Sequence, residues 1–243
     1  MVSRVTYCPD NYSQVVEECL NIPDCRIAGM LVFDNRNQTV LVQGLKLLAA
    51  GALHLGAALI CNWFTPDPKI HLAWKSRIPL YSTSDPHSEA CLQWLRDLQP
   101  DLLLHARTRC ILKPDLLQIP RLGAINVHHG LLPETCGTMC DLRLLFHGRR
   151  AGFSLHRMIP SVDRGSVFSR VEVADAEACG KNYWTYLKQS ARYEARYVRL
   201  LLEHIRANDA LPLALPASDV PSQWYTTPTF TEFKTLRREG WKL

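Results

Sequence analysis

What this 243-residue chain lacks narrows its class before any motif is read. Its 12 glycines and 15 prolines are too few for a collagen-like repeat or a low-complexity scaffold, and 47% apolar residues against 21% charged is too hydrophobic for intrinsic disorder. Charge of one sign is not dominant either. The 28 basic and 23 acidic residues leave +5, which permits an anionic ligand but falls short of a dedicated nucleic-acid binder. No internal repeat is present. The nine cysteines, at 8, 19, 25, 61, 91, 110, 136, 140 and 179, are odd in number and contain no Cys-x-x-Cys pair of zinc spacing. They read as reduced, mostly buried thiols, and no metal is expected. The polar start Met1-Val2-Ser3-Arg4 carries no secretory pattern, so a cytoplasmic protein is expected. Residues 44–61 are the one stretch long and apolar enough to raise a membrane question. Lys46, His54 and three glycines argue against a span and for a single helix packed in the core or against another subunit.

What is present alternates between strand and helix patterns. Arg4 to Tyr7 reads as a strand, Ser13 to Leu20 as a helix with Val15, Val16, Cys19 and Leu20 on one face, and Arg26 to Phe33 as a buried strand. After the small-residue helix come a strand at Ile78 to Tyr81, an amphipathic helix from Ser88 to Leu98 stopped by Pro100, and a continuous apolar strand from Asp101 to Ala106. A helical turn at Pro114 to Gln118 precedes the strand Gly123 to His128. This beat predicts an open α/β fold: a parallel sheet with helices on both faces. Beyond residue 130 the pattern reads helix (Cys140 to Gly148), two strands (Gly152 to Met158 and Val167 to Val173) and a long amphipathic helix from Lys181 to Arg206. That helix carries Lys188, Arg192, Arg196 and Arg199 on a face away from its apolar stripe, read as a solvated face rather than a docking stripe for an acidic partner. Residues 1–206 form the expected main domain and 207–243 a tail whose aromatic segment, from Gln223, reads as turn-like.

The informative stretch is Gly123-Ala-Ile-Asn-Val-His-His-Gly-Leu-Leu-Pro133, because it ends a buried strand at the edge where open α/β sheets put their ligands. Period-two geometry places Asn126 and His128 on one face of that strand. An amide and an imidazole aimed at one point suit a carbonyl under attack, since they offer donors to a developing oxyanion and a group able to move protons near neutral pH. Downstream, Ser161-Val-Asp163-Arg-Gly165 presents a carboxylate on a turn that could orient a nucleophile or hold the histidine charged. The same three residues also fit polar groups that merely satisfy loop backbone, and spacing alone does not separate the two readings.

The segment from Leu117 to Pro133, followed by Gly148, Gly152-Phe-Ser-Leu-His156 and Val162-Asp-Arg-Gly165, resembles the signature of the folate-dependent formyltransferases, the family of methionyl-tRNA formyltransferase and glycinamide ribonucleotide transformylase. The likeness is concentrated in residues 100–170. The tail Gln223-Trp-Tyr-Thr-Thr-Pro-Thr is similar to the ending of family members with unassigned substrates. The resemblance implies a Rossmann-like, open, mostly parallel twisted sheet on which 10-formyltetrahydrofolate donates its formyl group to an amine through a tetrahedral intermediate. It implies Asn126 and His128 as oxyanion stabilisers and Asp163 as the group that takes up the amine proton. Arg109, Cys110, Ile111 and Leu112 would meet the pterin through their backbone, with Ser161 and Val162 as the other wall. Asp10, Asn11 and His129 are assigned to the acceptor side, and His156 to structural support before direct chemistry.

Departures from the pattern bear on the acceptor. After Leu-Leu-Pro many members have aromatic-Arg-Gly, where this chain has Glu134-Thr-Cys-Gly137. The loop Gly148 to Gly152 is short, the first loop has no Gly-rich phosphate cradle, and no room is left for the barrel with which the tRNA enzyme holds nucleic acid. A small amine (an amino sugar, amino acid or peptide-like metabolite) is therefore the expected acceptor, with nucleic acid disfavoured and no membrane partner. A hydrolase is the alternative, because His128-His129 is similar to the paired histidines of formyltetrahydrofolate deformylases; a non-catalytic binding protein on the same fold is a third reading. Helix 44–61 and the aromatic tail could both be subunit contacts, which leaves a homodimer open.

Overall fold

The computed structural model describes residues 1–7, 13–65, 68–106, 108 and 110–243. Seven strands form one sheet: β1 (Val2–Ser3), β2 (Met30–Phe33), β3 (Leu80–Thr83), β4 (Leu103–Ala106), β5 (Ala124–His128), β7 (Ala151–Arg157) and β8 (Val167–Ala174), in the order β3-β2-β1-β4-β5-β7-β8. The first five in that order are parallel, and β7 and β8 add antiparallel to the β5 edge. The expected open, mostly parallel α/β sheet is therefore what the chain builds. The first strand is Val2–Ser3 rather than Arg4 to Tyr7, and β2 occupies only the last four residues of the apolar run that begins at Arg26.

Alternation along the strands separates two cores. Met30, Val32, Ile125, Val127, Phe153 and Leu155 face the larger one, with α1 (Ser13–Leu20), α2 (Gln38–Ala49), α3 (Leu53–Phe64), α4 (Pro68–Lys75), α7 (Cys140–Phe146), α8 (Tyr183–Asn208) and α9 (Phe230–Arg238) contributing to it. Leu31, Leu103 and Ala124 face the smaller one, covered by Cys91, Leu92 and Leu95 of α5 (Glu89–Leu98) and Leu116 and Leu117 of α6 (Pro114–Leu117).

Two expectations are corrected. Residues 44–61 are not one helix: the chain turns at Ala50–Ala52, where Gly51 takes φ +81°, a left-handed conformation that glycine adopts without steric cost, and α2 and α3 pack on each other. Neither is long enough to span a bilayer, and among the described residues no helix is long and apolar enough to do so. The aromatic tail is not turn-like throughout. β9 (Gln223–Tyr225) pairs in parallel with β6 (Thr135–Gly137), and α9 starts in a capping box in which Thr229 accepts from the Glu232 N–H and Glu232 accepts from the Thr229 N–H. Phe233, Leu236, Trp241 and Leu243 bury in the larger core, and Arg143 of α7 grips Glu232 at 2.5 and 3.0 Å. Burial of these apolar side chains supplies what the short helix lacks in intrinsic stability.

On α8, Lys188, Arg192 and Arg196 are exposed, whereas Arg199 bonds Glu18 of α1 and Glu203, each at 2.9 Å. The stripe is in part a clamp between two helices.

Candidate active site

The site is built at the C-terminal edge of β5, on the face of the sheet that carries the smaller core. Three polar side chains stand directly opposite one another across three strands: His105 of β4 is the register partner of Asn126 of β5, which is the partner of His156 of β7. They are joined by hydrogen bonds. His105 Nδ1 lies 2.8 Å from Asn126 Oδ1, and Asn126 Nδ2 lies 3.1 Å from His156 Nε2. The row ends on one side at Thr108, whose hydroxyl meets His105 Nε2, and on the other at the Arg157 carbonyl, 3.0 Å from His156 Nδ1. Burial holds both histidines to about pKa 4, below the ordinary 6.5; for His156 the neighbouring His128 adds to the effect.

Two residues beyond Asn126, His128 is buried with a ring edge-on to His156 at 6.0 Å between centroids. Its Nε2 donates to the Thr135 carbonyl at 2.9 Å, while Nδ1 faces Asp163 Oδ1 at 3.4 Å. Both ring nitrogens thus point at acceptors, an arrangement satisfied by a doubly protonated ring or by a proton shared with the carboxyl. Asp163 also lies 3.8 Å from His156 Nε2 and accepts from the Gly137 N–H at 2.8 Å. It sits at φ +54°, a left-handed conformation that aspartate tolerates better than most residues. Short β6 therefore holds the pair from both sides, Thr135 orienting the histidine and Gly137 the carboxylate.

The turn between β5 and β6 leaves no slack. A Cβ on Gly130 would stand 2.6 Å from His128 Nε2 and 2.7 Å from the Thr135 carbonyl, so only glycine lets the histidine reach that carbonyl. Ser154 of β7, fully buried, accepts from the Leu132 N–H at 3.0 Å and donates to the Gly130 carbonyl at 2.8 Å, pinning the turn to the sheet.

Asn126, His128 and Asp163 are thus brought to one place. His129 is not brought with them: its Nδ1 lies 3.2 Å from Asp141 of α7 and its Nε2 3.4 Å from Glu194 of α8, two fully buried carboxylates that also accept from Tyr183 and Ser190. In the loop after β4, Ile111 is 67% exposed while the Leu112 side chain is buried in the smaller core, so Leu112 can offer a ligand only its backbone. His87 secures this loop through Asp115 at 3.0 Å and the Ile111 carbonyl at 3.3 Å. Ser161 and Val162 are exposed on the turn that carries Asp163, and Cys110 is half-buried. Asp10, Asn11 and Arg109 lie outside the described residues. Glu134, which opens the segment that departs from the aromatic-Arg-Gly pattern, is held by Arg149 at 2.9 Å and Arg170 at 2.5 Å. Sequence reading missed His105, Thr108, Thr135 and His87. The one signal for His105 was a histidine ending the otherwise continuous apolar run Leu102-Leu-Leu.

Comparison with known proteins places this geometry. The family described as formyl transferase matches residues 61–181, which contain every element of the site described above. That segment, just under half of the chain, is a formyl transferase match. Methionyl-tRNA formyltransferase of Thermotoga maritima is 30% identical over 110 residues, 45% of this chain and 35% of that protein. The chain spans about a third or less of the length of the curated relatives it matches. Two solved structures share the formyl transferase fold. Glycinamide ribonucleotide transformylase 1 of Symbiobacterium toebii superposes with a TM-score of 0.57 at 17% identity, covering 84% of this chain and 87% of that one. The formyltransferase PseJ of Anoxybacillus kamchatkensis, solved with a formamido sugar nucleotide and tetrahydrofolate, gives 0.52 at 19% identity, covering 72% and 88%.

Proposed function

We propose that this chain is an N-formyltransferase that moves a formyl group from 10-formyltetrahydrofolate to the amine of a small molecule such as an amino sugar or amino acid. The observation that carries the reading is the convergence of Asn126, His128 and Asp163 at the C-terminal edge of β5, with the two donors and the carboxylate locked by β6 and β7. PseJ was solved with tetrahydrofolate, which is what 10-formyltetrahydrofolate becomes once its formyl group has left, and the residues of this chain suit such a ligand. The loop Cys110–Leu112 and the turn Ser161–Val162 present exposed Ile111 and Val162 beside loop backbone, a surface suited to a flat heteroaromatic ring with hydrogen-bonding edges. The bound folate would supply an activated formyl carbon.

The chain's own residues do the rest. As the amine nitrogen bonds to the formyl carbon, negative charge gathers on the carbonyl oxygen; Asn126 Nδ2 offers it a preorganised donor, and the Nδ1 edge of the His128 ring, 3.4 Å from Asp163 while Nε2 stays on the Thr135 carbonyl, offers a second. Asp163 keeps the His128 ring oriented and takes the proton that the amine must lose. Breaking the bond between the formyl carbon and the folate nitrogen then requires a proton on that leaving nitrogen, which the same histidine–carboxylate pair can return. Arg149 and Arg170 are both tied to Glu134, so neither guanidinium is left uncommitted for an anionic acceptor, in keeping with a small amine.

The test follows release of tetrahydrofolate from 10-formyltetrahydrofolate, first without acceptor and then with a panel of amino sugars and amino acids, using Asp163→Asn as control. Release only with an amine, abolished by the substitution, is the expected result. Release into water alone would make the protein a hydrolase, and no release with no folate binding would overturn the enzyme reading.

A further inference from the structure

We propose that His105 is a positioning residue for Asn126: it decides which edge of the amide faces the reacting carbonyl. One end of the row has no choice of role. The Arg157 carbonyl can only accept, so His156 Nδ1 carries the ring hydrogen and Nε2 carries the lone pair. Burial keeps His156 from holding a second proton. Nε2 must then accept from Asn126 Nδ2, which sets Asn126 Oδ1 on the opposite side, 2.8 Å from His105 Nδ1. An amide oxygen only accepts, so His105 is the donor and carries its hydrogen on Nδ1. Its Nε2 is left to accept from the Thr108 hydroxyl. This assignment satisfies the hydrogen bonds from Thr108 to Arg157, with the Cys110 backbone as a further neighbour of the His105 ring, and it spans three strands because His105, Asn126 and His156 share one rung of the sheet.

The consequence lies at the second hydrogen of Asn126 Nδ2, which among the described residues has no partner and is left for an oxygen in the site. Without a donor at His105, Oδ1 gains nothing from facing β4, and the amide can turn over and present an acceptor where a donor is needed. His105 acts through Asn126 and is not placed in contact with substrate. Its kinetic consequence rests on the formyl-transfer reading, whereas the hydrogen-bond row rests on geometry alone.

The experiment has one readout for each. Without any substrate, ¹⁵N shifts of the His105 ring are expected to show the hydrogen on Nδ1. The Asn126 side-chain amide signals should move and exchange faster with water in His105→Leu, against an otherwise unchanged backbone spectrum, and return in His105→Gln, which restores a donor. In formyl release from 10-formyltetrahydrofolate with the amine panel, His105→Leu should lower kcat about 10- to 100-fold and leave KM for the folate within about threefold. His105→Gln should recover most of that loss, and His105→Leu added to Asn126→Ala should cost nothing further. A His105 hydrogen on Nε2, wild-type kcat in a folded His105→Leu protein, or an equal further loss in the Asn126→Ala background would overturn the proposal. Should His105→Leu fail to fold, the wild-type ring shifts and His105→Gln still decide it. A wild-type protein that moves no formyl group defeats the formyl-transfer reading instead, and the spectra still decide the row.

Discussion

His128 and His129 are neighbours in the chain, and each sits beside a buried carboxylate, yet the structure gives them opposite surroundings. His128 points to the side of the smaller core, into a group made from strand edges and turns: Asn126, His156, the Thr135 carbonyl and Asp163. His129 points to the side of the larger core and is sealed between α7 and α8 by Asp141 and Glu194, with Tyr183 and Ser190 satisfying further lone pairs. Alternation at the end of a strand is enough to separate them. What differs is the kind of element each meets. Turns at a sheet edge leave donors exposed to an incoming ligand, whereas packed helices consume them. A buried polar cluster of the second kind holds elements together and is costly to break.

Substitutions on the two sides are therefore expected to act on different quantities. The largest effect should come from Asn126→Ala or His128→Ala, which remove a donor used only as the carbonyl becomes tetrahedral: turnover should fall about 100- to 1000-fold in steady-state assays, with folate affinity nearly unchanged. Next, His129→Leu leaves Asp141 and Glu194 without their shared partner and should lower the unfolding free energy by about 3 kcal/mol in denaturant titrations, while the folded fraction keeps turnover within about threefold. If His129→Leu instead matched His128→Ala in lost turnover with no loss of stability, the division between the two histidines would be wrong. The effect that is smallest near neutral pH is that of acid. His105 and His156 are held to about 4 in the folded chain and titrate near 6.5 when unfolded, so below pH 6.5 the unfolded state binds more protons. Stability should be level with respect to these groups above pH 6.5 and fall toward pH 4, by at most about 1.4 kcal/mol per pH unit for each histidine. His105→Leu should make that slope shallower, as read from unfolding at a series of pH values.

Much of this was legible in the residues themselves. The apolar strands at Leu103 and Ala124, the amphipathic helices at Ser13 and Glu89 and the long helix from Tyr183 all lie where hydrophobic spacing puts them, because burial of one face is a local property of sequence. Asn126 and His128 could be paired by period two within one strand. The break between α2 and α3 was harder to see, since Gly51 lies among small residues that suit a helix and a turn alike. The tail escaped for another reason: nine residues with Thr229 and Glu232 at the start form a helix here because Phe233 and Leu236 have a core to enter.

By itself the sequence determined the strand and helix order of an α/β sheet, the family signature from Leu117 to Gly165, and the three side chains that end or follow its strands. Only the tertiary structure decided that β4 and β7 flank β5 in a register that lines up His105, Asn126 and His156, that β6 holds His128 and Asp163 from either side, and that His129 belongs to the helices. The physical reason is range: hydrophobic periodicity is written within a dozen residues, whereas strand register and hydrogen-bond partners join groups 21 to 42 residues apart that meet only when the whole core has closed.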